Sequence, residues 1–478
     1  MEKLSLDVFK RYKEVDVKRI DEELKNSLAR LNRKIMVLDD DPTGVQTVHD
    51  VSVYTSWDEE AIKSGFNEEN SIFFILTNSR GFSKEETIKV HSEIGATLSE
   101  VAKKTGKDYI LISRSDSTMR GHYPIETAAL KRSIEKESEK RFDGEIIIPF
   151  FKEGGRFTID NVHYVKEGDF LTPAGQAEFA RDKSFGYNSS HLGEYVDEKT
   201  SGQFIKESCT YISLVDIRKE NIEKITSQLM AVENFNKVIV NAIDDVDVKI
   251  FVLAYISAVL QNKEFIFRSA ATVTKVLGGV SDIPLLLKEK LIEKENENGG
   301  IVLIGSHVNK TTQQFEALKG CKEPLEFIEF NQHLILKENG LQGEVIRVIS
   351  EAEKHIKSGK TVVVYTNRDR FDLDTDDEDK QLEVSVKISD AFTSIIGKLS
   401  IRPNFIIAKG GITSSDVGTK ALKVKKALVM GQIKPGIPVW MTGEESKFPK
   451  MPYIISPGNI GEVDTLKEIV DMLSSEKK

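Results

Sequence analysis

Short, continuous runs of Ile, Val, Leu and Phe recur along the chain and are separated by longer amphipathic stretches. Such runs are typical of parallel strands, which are buried on both faces. Spacings of about 35–40 residues in the first half leave room for a helix between successive strands, as in βαβ units. The sequence therefore predicts two α/β domains, each with a mostly parallel β-sheet flanked by helices. The predicted strands are residues 34–38, 72–76, 109–112, 145–149, 301–304, 361–365 and 404–408.

Residues 291–300 form a polar segment that ends in two glycines and is the best candidate for a linker. A chain of 478 residues is long enough for two or three domains. We predict a helical extension over residues 1–33, a first α/β domain over 34–290 and a second over 301–478.

Composition narrows the range of partners. Acidic residues outnumber basic ones by 76 to 67, so the chain lacks the positive charge expected of a nucleic-acid-binding protein. No apolar run approaches the ~20 residues of a membrane helix, and the first residues are too charged for a signal peptide. Two cysteines cannot build a disulfide framework. We expect a cytoplasmic protein without nucleic-acid or membrane partners, and the sequence leaves a homo-oligomer open.

Ligands of open α/β sheets bind at the carboxyl ends of the strands, so the residues just after each apolar run are the informative ones. The first run leads into D-D-D-P-T-G, residues 39–44. Three adjacent carboxylates repel one another, and the proline and glycine mark a tight turn. Such a segment suits metal binding, hydrogen bonding to a polyol, or general base catalysis.

Arginines and hydroxyl-bearing residues follow the next three runs, as T-N-S-R (77–80), R-S-D-S-T-M-R-G (114–121) and G-G-R (154–156). Arginine binds a carboxylate or phosphate in a bidentate fork, whereas Ser, Thr and Asp pair with hydroxyls. These segments predict a small, oxygen-rich anionic substrate. A capped helix N-terminus is the alternative interpretation of residues 114–121. We expect the isolated His163 to pack rather than to catalyse.

Three loops of the predicted second domain are rich in small residues: G-S-H-V (305–308), K-G-G-I-T-S-S-D-V (409–417) and S-P-G-N-I-G (456–461). Glycine lets backbone amides approach phosphate oxygens, and a helix N-terminus favours an anion. One such loop alone usually makes only a turn. Three in one domain predict a site for nucleotide phosphates.

Together these segments resemble the four-carbon acid sugar kinases, a two-domain family. The D-D-x-T-G motif of that family is matched by residues 40–44, and its basic-x-D-S-T-x-R-G motif by residues 114–121. The S-R, G-R, G-S, G-G-x-T and G-N-x-G elements are matched by residues 79–80, 155–156, 305–306, 410–413 and 458–461. Order and spacing agree from about residue 34 to 465. Ile412 stands where the family often has an acidic residue.

The resemblance implies ATP- and Mg²⁺-dependent phosphorylation of the terminal hydroxyl of a four-carbon sugar acid. The first domain would bind the acid, the second would bind ATP, and the active site would lie in the cleft between them. Arg80, Arg114 and Arg120 would clamp the carboxylate or the transferred phosphoryl group. The implied catalytic residues are Asp40 and Asp41, either of which could be the base. The implied substrate-binding residues are Thr43, Ser79, Arg80, Arg114, Asp116, Ser117, Arg120 and Arg156. The implied nucleotide-binding residues are Ser306, Gly410, Gly411, Ile412, Thr413, Gly458 and Asn459. Metal ligands stay unassigned.

Two other functions fit parts of the sequence. Residues 39–43 also match the D-x-D-x-T of haloacid dehalogenase-type phosphatases, with Asp39 as nucleophile and Asp41 as acid/base, although the later motifs of that class are missing. A sugar-acid-binding module that has lost catalysis is the non-enzymatic alternative. Threonate, erythronate and 3-oxo-tetronate, and their D and L forms, cannot be distinguished from the sequence.

Overall fold

The structure is a computed structural model and describes residues 2–292, 297–369, 371, 373 and 378–474. The chain divides into two compact units. The first unit comprises Met1–Val48 and Ser56–Asp282, and the second comprises His49–Thr55 and Ile283–Lys478. The predicted linker at 291–300 lies partly outside the described residues, and the predicted domain boundaries stay a prediction.

The strands of the described residues alternate with helices over most of the chain. They are β1 (Leu4–Ser5), β2 (Lys34–Asp39), β3 (Val51–Tyr54), β4 (Ile72–Leu76), β5 (Tyr109–Arg114), β6 (Gly144–Ile148), β7 (Arg156–Ile159), β8 (Val162–Glu167), β9 (Phe170–Pro173), β10 (Thr210–Ile212), β11 (Asn236–Val240), β12 (Phe265–Ser269), β13 (Ile301–Ile304), β14 (Glu326–Phe330), β15 (Val362–Thr366), β16 (Ile406–Lys409), β17 (Lys426–Lys434), β18 (Ile437–Thr442) and β19 (Pro452–Ser456).

The α-helices of the described residues range from four to 22 residues. They are α1 (Val17–Leu28), α2 (Glu59–Asn67), α3 (Lys84–Thr105), α4 (Ile125–Glu137), α5 (Leu192–Thr200), α6 (Leu214–Arg218), α7 (Ile222–Met230), α8 (Asp245–Val259), α9 (Ala271–Leu277), α10 (Lys288–Leu291), α11 (Asn309–Leu318), α12 (Gly340–Lys357), α13 (Glu378–Lys398), α14 (Gly411–Asp416) and α15 (Thr465–Ser474).

The first unit is built on a parallel sheet with the strand order β10-β11-β6-β12-β5-β2-β4. The strands β4, β5 and β6 are buried at every residue, as expected when helices cover both faces of a sheet. Helices connect successive parallel strands, such as α3 between β4 and β5 and α4 between β5 and β6. The predicted α/β class is confirmed.

The N-terminal segment is less helical than its sequence predicts. Only α1 is an α-helix, and it begins after Asp16, whose side chain accepts a hydrogen bond from the amide of Arg19. Leu4 and Ser5 instead form β1, which pairs with β9 in a small antiparallel sheet of order β1-β9-β8-β7. A free strand edge on β9 attracts an extended segment because its backbone groups need partners.

In the second unit the strand order is β3-β17-β18-β19-β16-β13-β15-β14. The pairs from β19 to β14 are parallel, whereas those from β3 to β19 are antiparallel. β3 pairs with β17 of this unit although it lies between β2 and β4 in the sequence. The sheet is therefore mixed, because tight antiparallel connections follow the parallel βα repeats.

Candidate active site

Adjacent strands of the first unit bring the predicted acidic and basic segments to one edge of the sheet. β2 lies between β4 and β5, and Asp39 is aligned with Arg114 on β5. β12 lies on the other side of β5, where Ser269 is aligned with Arg114. All four strands are parallel, so the segments that follow them meet at their carboxyl ends.

Asp39 and Arg114 form a buried ion pair, with Nη1 of Arg114 2.9 Å from Oδ1 of Asp39. Burial raises the pKa of Asp39 to about 7, even though the charge of Arg114 opposes the shift. Gly44 lies against this carboxylate, and a Cβ at that position would lie 1.9 Å from Oδ2 of Asp39. Asp39 is thus enclosed on all sides that the structure describes.

Asp40 is also buried and is held by three donors. Arg80 donates from Nη2 to Oδ1 at 2.7 Å and from Nε to Oδ2 at 3.3 Å. Ser115 donates to Oδ2 at 2.5 Å, and Nη1 of Arg114 lies 3.5 Å from Oδ1. Both oxygens of Asp40 are therefore committed to partners within the protein.

Asp41 is the most accessible of the three acids, with 16% of its side chain exposed compared with 2% for Asp39 and Asp40. It pairs with Nη1 of Arg80 at 3.1 Å and accepts hydrogen bonds from the amide and hydroxyl of Thr43, the former at 2.7 Å. Burial raises the pKa of Asp41, but Arg80, Arg114 and Thr43 outweigh it and hold that pKa below its ordinary value.

Asp116 and Arg120 form a second ion pair in the loop after β5, with Nε of Arg120 2.8 Å from Oδ2 of Asp116. The hydroxyl of Thr118 also donates to Asp116. Burial opposes ionisation, yet Arg120 and Arg80 hold the pKa of Asp116 far below its ordinary value. The carbonyl of Ser117, in the same loop, accepts from Nε2 of His163 at 2.8 Å.

Arg156 is the predicted substrate-binding arginine for which the described residues provide no carboxylate partner. Nη1 donates to the carbonyl of Gly154, and Nε is buried without a hydrogen-bond partner. The guanidinium lies over the ring of Phe179 at 5.3 Å, and that of Arg120 lies over the same ring at 5.1 Å. Burial lowers the pKa of Arg156, although the charge of Asp116 opposes this shift.

The structure adds residues that the sequence analysis missed. Arg268 on β12 pairs with the buried Glu126 of α4, and Ser79 donates to Glu126 at 2.6 Å. The hydroxyl of Ser79 therefore faces Glu126 rather than the carboxylates of residues 39–41. Gly121 has φ +113°, and a Cβ there would lie 2.6 Å from the hydroxyl of Ser115. The run F-I-F-R-S at 265–269 carried the strand-end signal for Arg268, but it was not among the predicted strands.

In the second unit the three glycine loops converge on Ser306. A Cβ at Gly410 would lie 3.1 Å from Cβ of Ser306, and one at Gly458 would lie 2.8 Å from its hydroxyl. Thr413 packs against Gly305, the residue before Ser306, and a Cβ at Gly305 would lie 2.3 Å from the Thr413 hydroxyl. The predicted nucleotide-binding residues are thus neighbours, although they come from distant parts of the sequence.

Hydrogen bonds hold these loops together. Thr311 of α11 donates to the carbonyl of Gly458 at 2.8 Å and to the hydroxyl of Ser306 at 3.1 Å. The amide of Gly410, which has φ +123°, donates to the carbonyl of Ser456 at 2.9 Å. α14 begins at Gly411, directly after this turn. Two predicted residues lie on the outside, Ile412 at 74% exposure and the exposed Asn459.

Arginines bind the acidic residues at positions 39–41. Among the described residues, no group of three His, Cys, Asp or Glu side chains has the geometry to hold a metal ion. Asp39 and Asp40 already have arginine partners. No helix in the described ranges has the length and apolarity to cross a bilayer.

Two family models match successive parts of the chain. Residues 35–277 match the family model of a sugar-binding N-terminal domain, and residues 301–466 match that of a nucleotide-binding C-terminal domain. No curated protein matched the chain significantly.

Two solved structures are similar in fold. A Haemophilus influenzae protein of the DUF1537 domain family is 18% identical, with a TM-score of 0.59 over 92% of this chain and 100% of that one. A Salmonella typhimurium LT2 protein provisionally described as a tRNA synthase is 15% identical, with a TM-score of 0.62 over 91% of this chain and 98% of that one. At such identities the likeness concerns the fold alone.

Proposed function

The chain belongs to the four-carbon acid sugar kinase family, and from that membership we propose that it transfers the terminal phosphoryl group of ATP to the 4-hydroxyl of a four-carbon sugar acid such as threonate, erythronate or 3-oxo-tetronate. The sugar-binding unit would hold the acid and the nucleotide-binding unit would hold ATP. Mg²⁺ bound to the phosphates would neutralise their charge during transfer.

The observation that carries the proposal is the contrast between Arg156 and the other arginines of the first unit. Arg80, Arg114 and Arg120 each have a carboxylate partner within the protein, whereas Arg156 has none among the described residues. Asp116 attracts the half-buried guanidinium of Arg156 but forms no ion pair with it in the described residues, so a bound anion would offset the cost of its burial. We therefore assign the carboxylate of the sugar acid to Arg156.

Asp41 is the better candidate for the base that accepts the proton of the attacking hydroxyl. Its neighbour Asp40 uses both oxygens on Arg80 and Ser115 and is buried. Asp41 keeps an accessible side chain that Thr43 orients. A low pKa keeps this carboxylate ionised at neutral pH, so it is ready to accept a hydrogen bond from the hydroxyl.

On the nucleotide side, the amides of Gly410, Gly411 and Gly458 and the hydroxyls of Ser306 and Thr413 would receive the phosphates. The absence of Cβ atoms at the glycines leaves the backbone open to close approach. Ile412 and Asn459 lie at the surface of these loops, where they could contact the rest of the nucleotide.

The phosphatase alternative has less support. A nucleophilic Asp39 would have to reach a phosphoryl group, yet its carboxylate is buried, paired with Arg114 and covered by the backbone of Gly44. The glycine loops of the second unit would also have no role in such an enzyme. A binding module without catalysis would keep the same residues, and only an assay separates it from a kinase.

The test is ADP release from Mg·ATP with a panel of D- and L-threonate, D- and L-erythronate and 3-oxo-tetronate. Acid-free reactions and phosphate release from sugar phosphates without ATP serve as controls. ADP formation that depends on one acid would support the kinase and name its substrate. Phosphate release without ATP would favour the phosphatase, and binding of ATP and acid without turnover would favour the binding module.

A further inference from the structure

Arg368 lies two residues after the end of β15 and reaches the loop that carries Ser306. Nη1 donates to the carbonyl of Ser306 at 2.8 Å, and Nη2 donates to the hydroxyl of Thr312 at 2.7 Å. Nε is buried without a partner. Glu316 attracts this guanidinium but forms its ion pair with Lys319, so Arg368 has no ion pair among the described residues.

Lys409 lies beneath the same loops. It is the last residue of β16, its exposed fraction is 0%, and its Nζ donates to the carbonyl of Pro457 at 2.5 Å. Burial, and then the charge of Lys310, lower the pKa of Lys409 to about 7. No described carboxylate lies within ion-pair distance of it. Lys310, the second residue of α11, is half-buried and likewise has no ion pair in the described part of the chain.

The first unit contains a buried lysine that, unlike Lys409, is paired with a carboxylate. Lys237 lies 2.7 Å from Glu145, and its ammonium also lies over the rings of Phe204 and Phe235. A lysine that serves only the fold is normally paired in this way, because an unpaired buried charge is costly. No described carboxylate pairs in this way with Lys310, Arg368 or Lys409.

We propose that Lys310 and Arg368 are phosphate-binding residues of the nucleotide site, with Lys409 as a positioning residue beneath them. This inference rests on the proposed function and extends it to residues outside the family motifs described above. Lys310 and Arg368 would supply positive charge to the polyphosphate of a nucleoside di- or triphosphate. Lys409 would hold the 457–459 loop through the Pro457 carbonyl.

The charge balance supports a polyanion over a neutral ligand. Arg368 and Lys409 each donate to a carbonyl of these loops, and Lys310 lies close enough to Lys409 to lower its pKa. The ligand-binding groups proposed for the loops are neutral amides and hydroxyls. Repulsion between Lys310 and Lys409 is relieved when a polyphosphate binds, so the ligand and the cations stabilise one another. The glycines at 410 and 458 leave the space that the phosphates need.

The experiment is calorimetric titration of the full chain with Mg·ADP, with adenosine and with inorganic tripolyphosphate. The variants are Lys310→Met, Arg368→Met and Arg368→Lys. Lys322→Met, an exposed lysine without an ion pair in the described residues, is the matched control. Thermal unfolding of each variant identifies any that fail to fold, and Arg368→Lys retains the charge if Arg368→Met disturbs the Ser306 loop.

We expect both methionine variants to weaken ADP binding by about tenfold or more. Tripolyphosphate binding should fall in parallel, while adenosine binding and the Lys322→Met control should match the wild type.

Wild-type ADP affinity in folded Lys310→Met and Arg368→Met would overturn the inference and leave the kinase proposal standing. Equal losses for ADP and adenosine would also overturn it, because they would indicate loop damage rather than a lost charge. A wild type that does not bind ADP would overturn the proposed function together with the inference.

Discussion

Arg80 holds Asp40 by both carboxylate oxygens, with Nη2 2.7 Å from Oδ1 and Nε 3.3 Å from Oδ2. The remaining nitrogen of the guanidinium, Nη1, reaches Asp41 at 3.1 Å. One arginine thus fixes two adjacent acids that would otherwise repel each other. It does so unequally, because Asp40 is fully enclosed while Asp41 keeps an exposed edge, and the two neighbours can therefore differ in function.

Replacing Asp41 with Asn should lower kcat by about 10²–10⁴-fold, the usual contribution of a general base. Mg·ADP affinity should stay near the wild-type value, because Asp41 belongs to the other unit. Steady-state kinetics and calorimetry measure the two effects, with the exposed Asp169→Asn as control. Near-normal turnover in Asp41→Asn would remove this residue from the mechanism.

Arg156→Met should raise KM for the sugar acid by about ten- to a hundredfold, since a charged hydrogen bond contributes about 1.5–3 kcal/mol. Arg156→Lys should recover only part of this loss, because an ammonium cannot form the bidentate fork. KM for ATP should not change. Arg132→Met, on the exposed side of α4, is the control. A rise in KM for ATP in place of the acid would refute the assignment.

Gly410→Ala should weaken ADP binding without affecting binding of the acid. The left-handed φ of +123° disfavours any residue with a Cβ, at roughly 1–3 kcal/mol, and the new methyl group would press on Ser306. Gly343→Ala on α12 is the matched control, since a Cβ there meets no atom within 4 Å. Calorimetry should show unchanged ADP affinity in the control, and unchanged affinity in Gly410→Ala would argue against the loop as a phosphate site.

His163 should make the first unit sensitive to acid. Burial lowers the pKa of His163 to about 4, and its Nε2 and Nδ1 are occupied by the Ser117 carbonyl and the Thr158 hydroxyl. A histidine whose folded-state pKa lies below its unfolded value of about 6.5 destabilises the fold as pH falls from 6.5 toward 4, because only the unfolded chain takes up the proton. Unfolding temperatures between pH 7 and 4.5 should fall less steeply in His163→Gln than in the wild type. Parallel curves would contradict this.

Lys409→Met should stabilise the second unit and weaken its ADP binding. The pKa of Lys409 is about 7 in the folded protein and 10.5 ordinarily, so the buried charge destabilises fully below pH 7 and progressively less as pH rises to 10.5. The gain in unfolding temperature should therefore be larger at pH 6 than at pH 9. Thermal scans at both pH values test it. A variant less stable than the wild type at pH 6 would show that the hydrogen bond to Pro457 outweighs the charge.

Much of the fold and part of the site could be predicted because they depend on local pattern. Buried parallel strands need continuous apolar runs, so β2, β4, β5, β6, β13, β15 and β16 were recognisable without any structure. The carboxyl ends of such strands share one edge of a sheet, which placed Asp40, Arg80 and Arg114 near one another in advance. The predicted glycine loops are also neighbours, for the same reason.

The tertiary structure decided how these groups are paired. Ser115 bonds to Asp40 only because β2 lies beside β5, and Arg268 reaches Glu126 only because β12 lies on the other side of β5. The order of strands in a sheet is not written in any local segment. The same applies to β3, which pairs with β17 more than 370 residues away. Whether a charge is neutralised depends on contacts across the fold. Only the structure therefore distinguishes Arg80 and Arg114, which have carboxylate partners, from Arg156, Arg368 and Lys409, which have no ion pair within the described part of the chain.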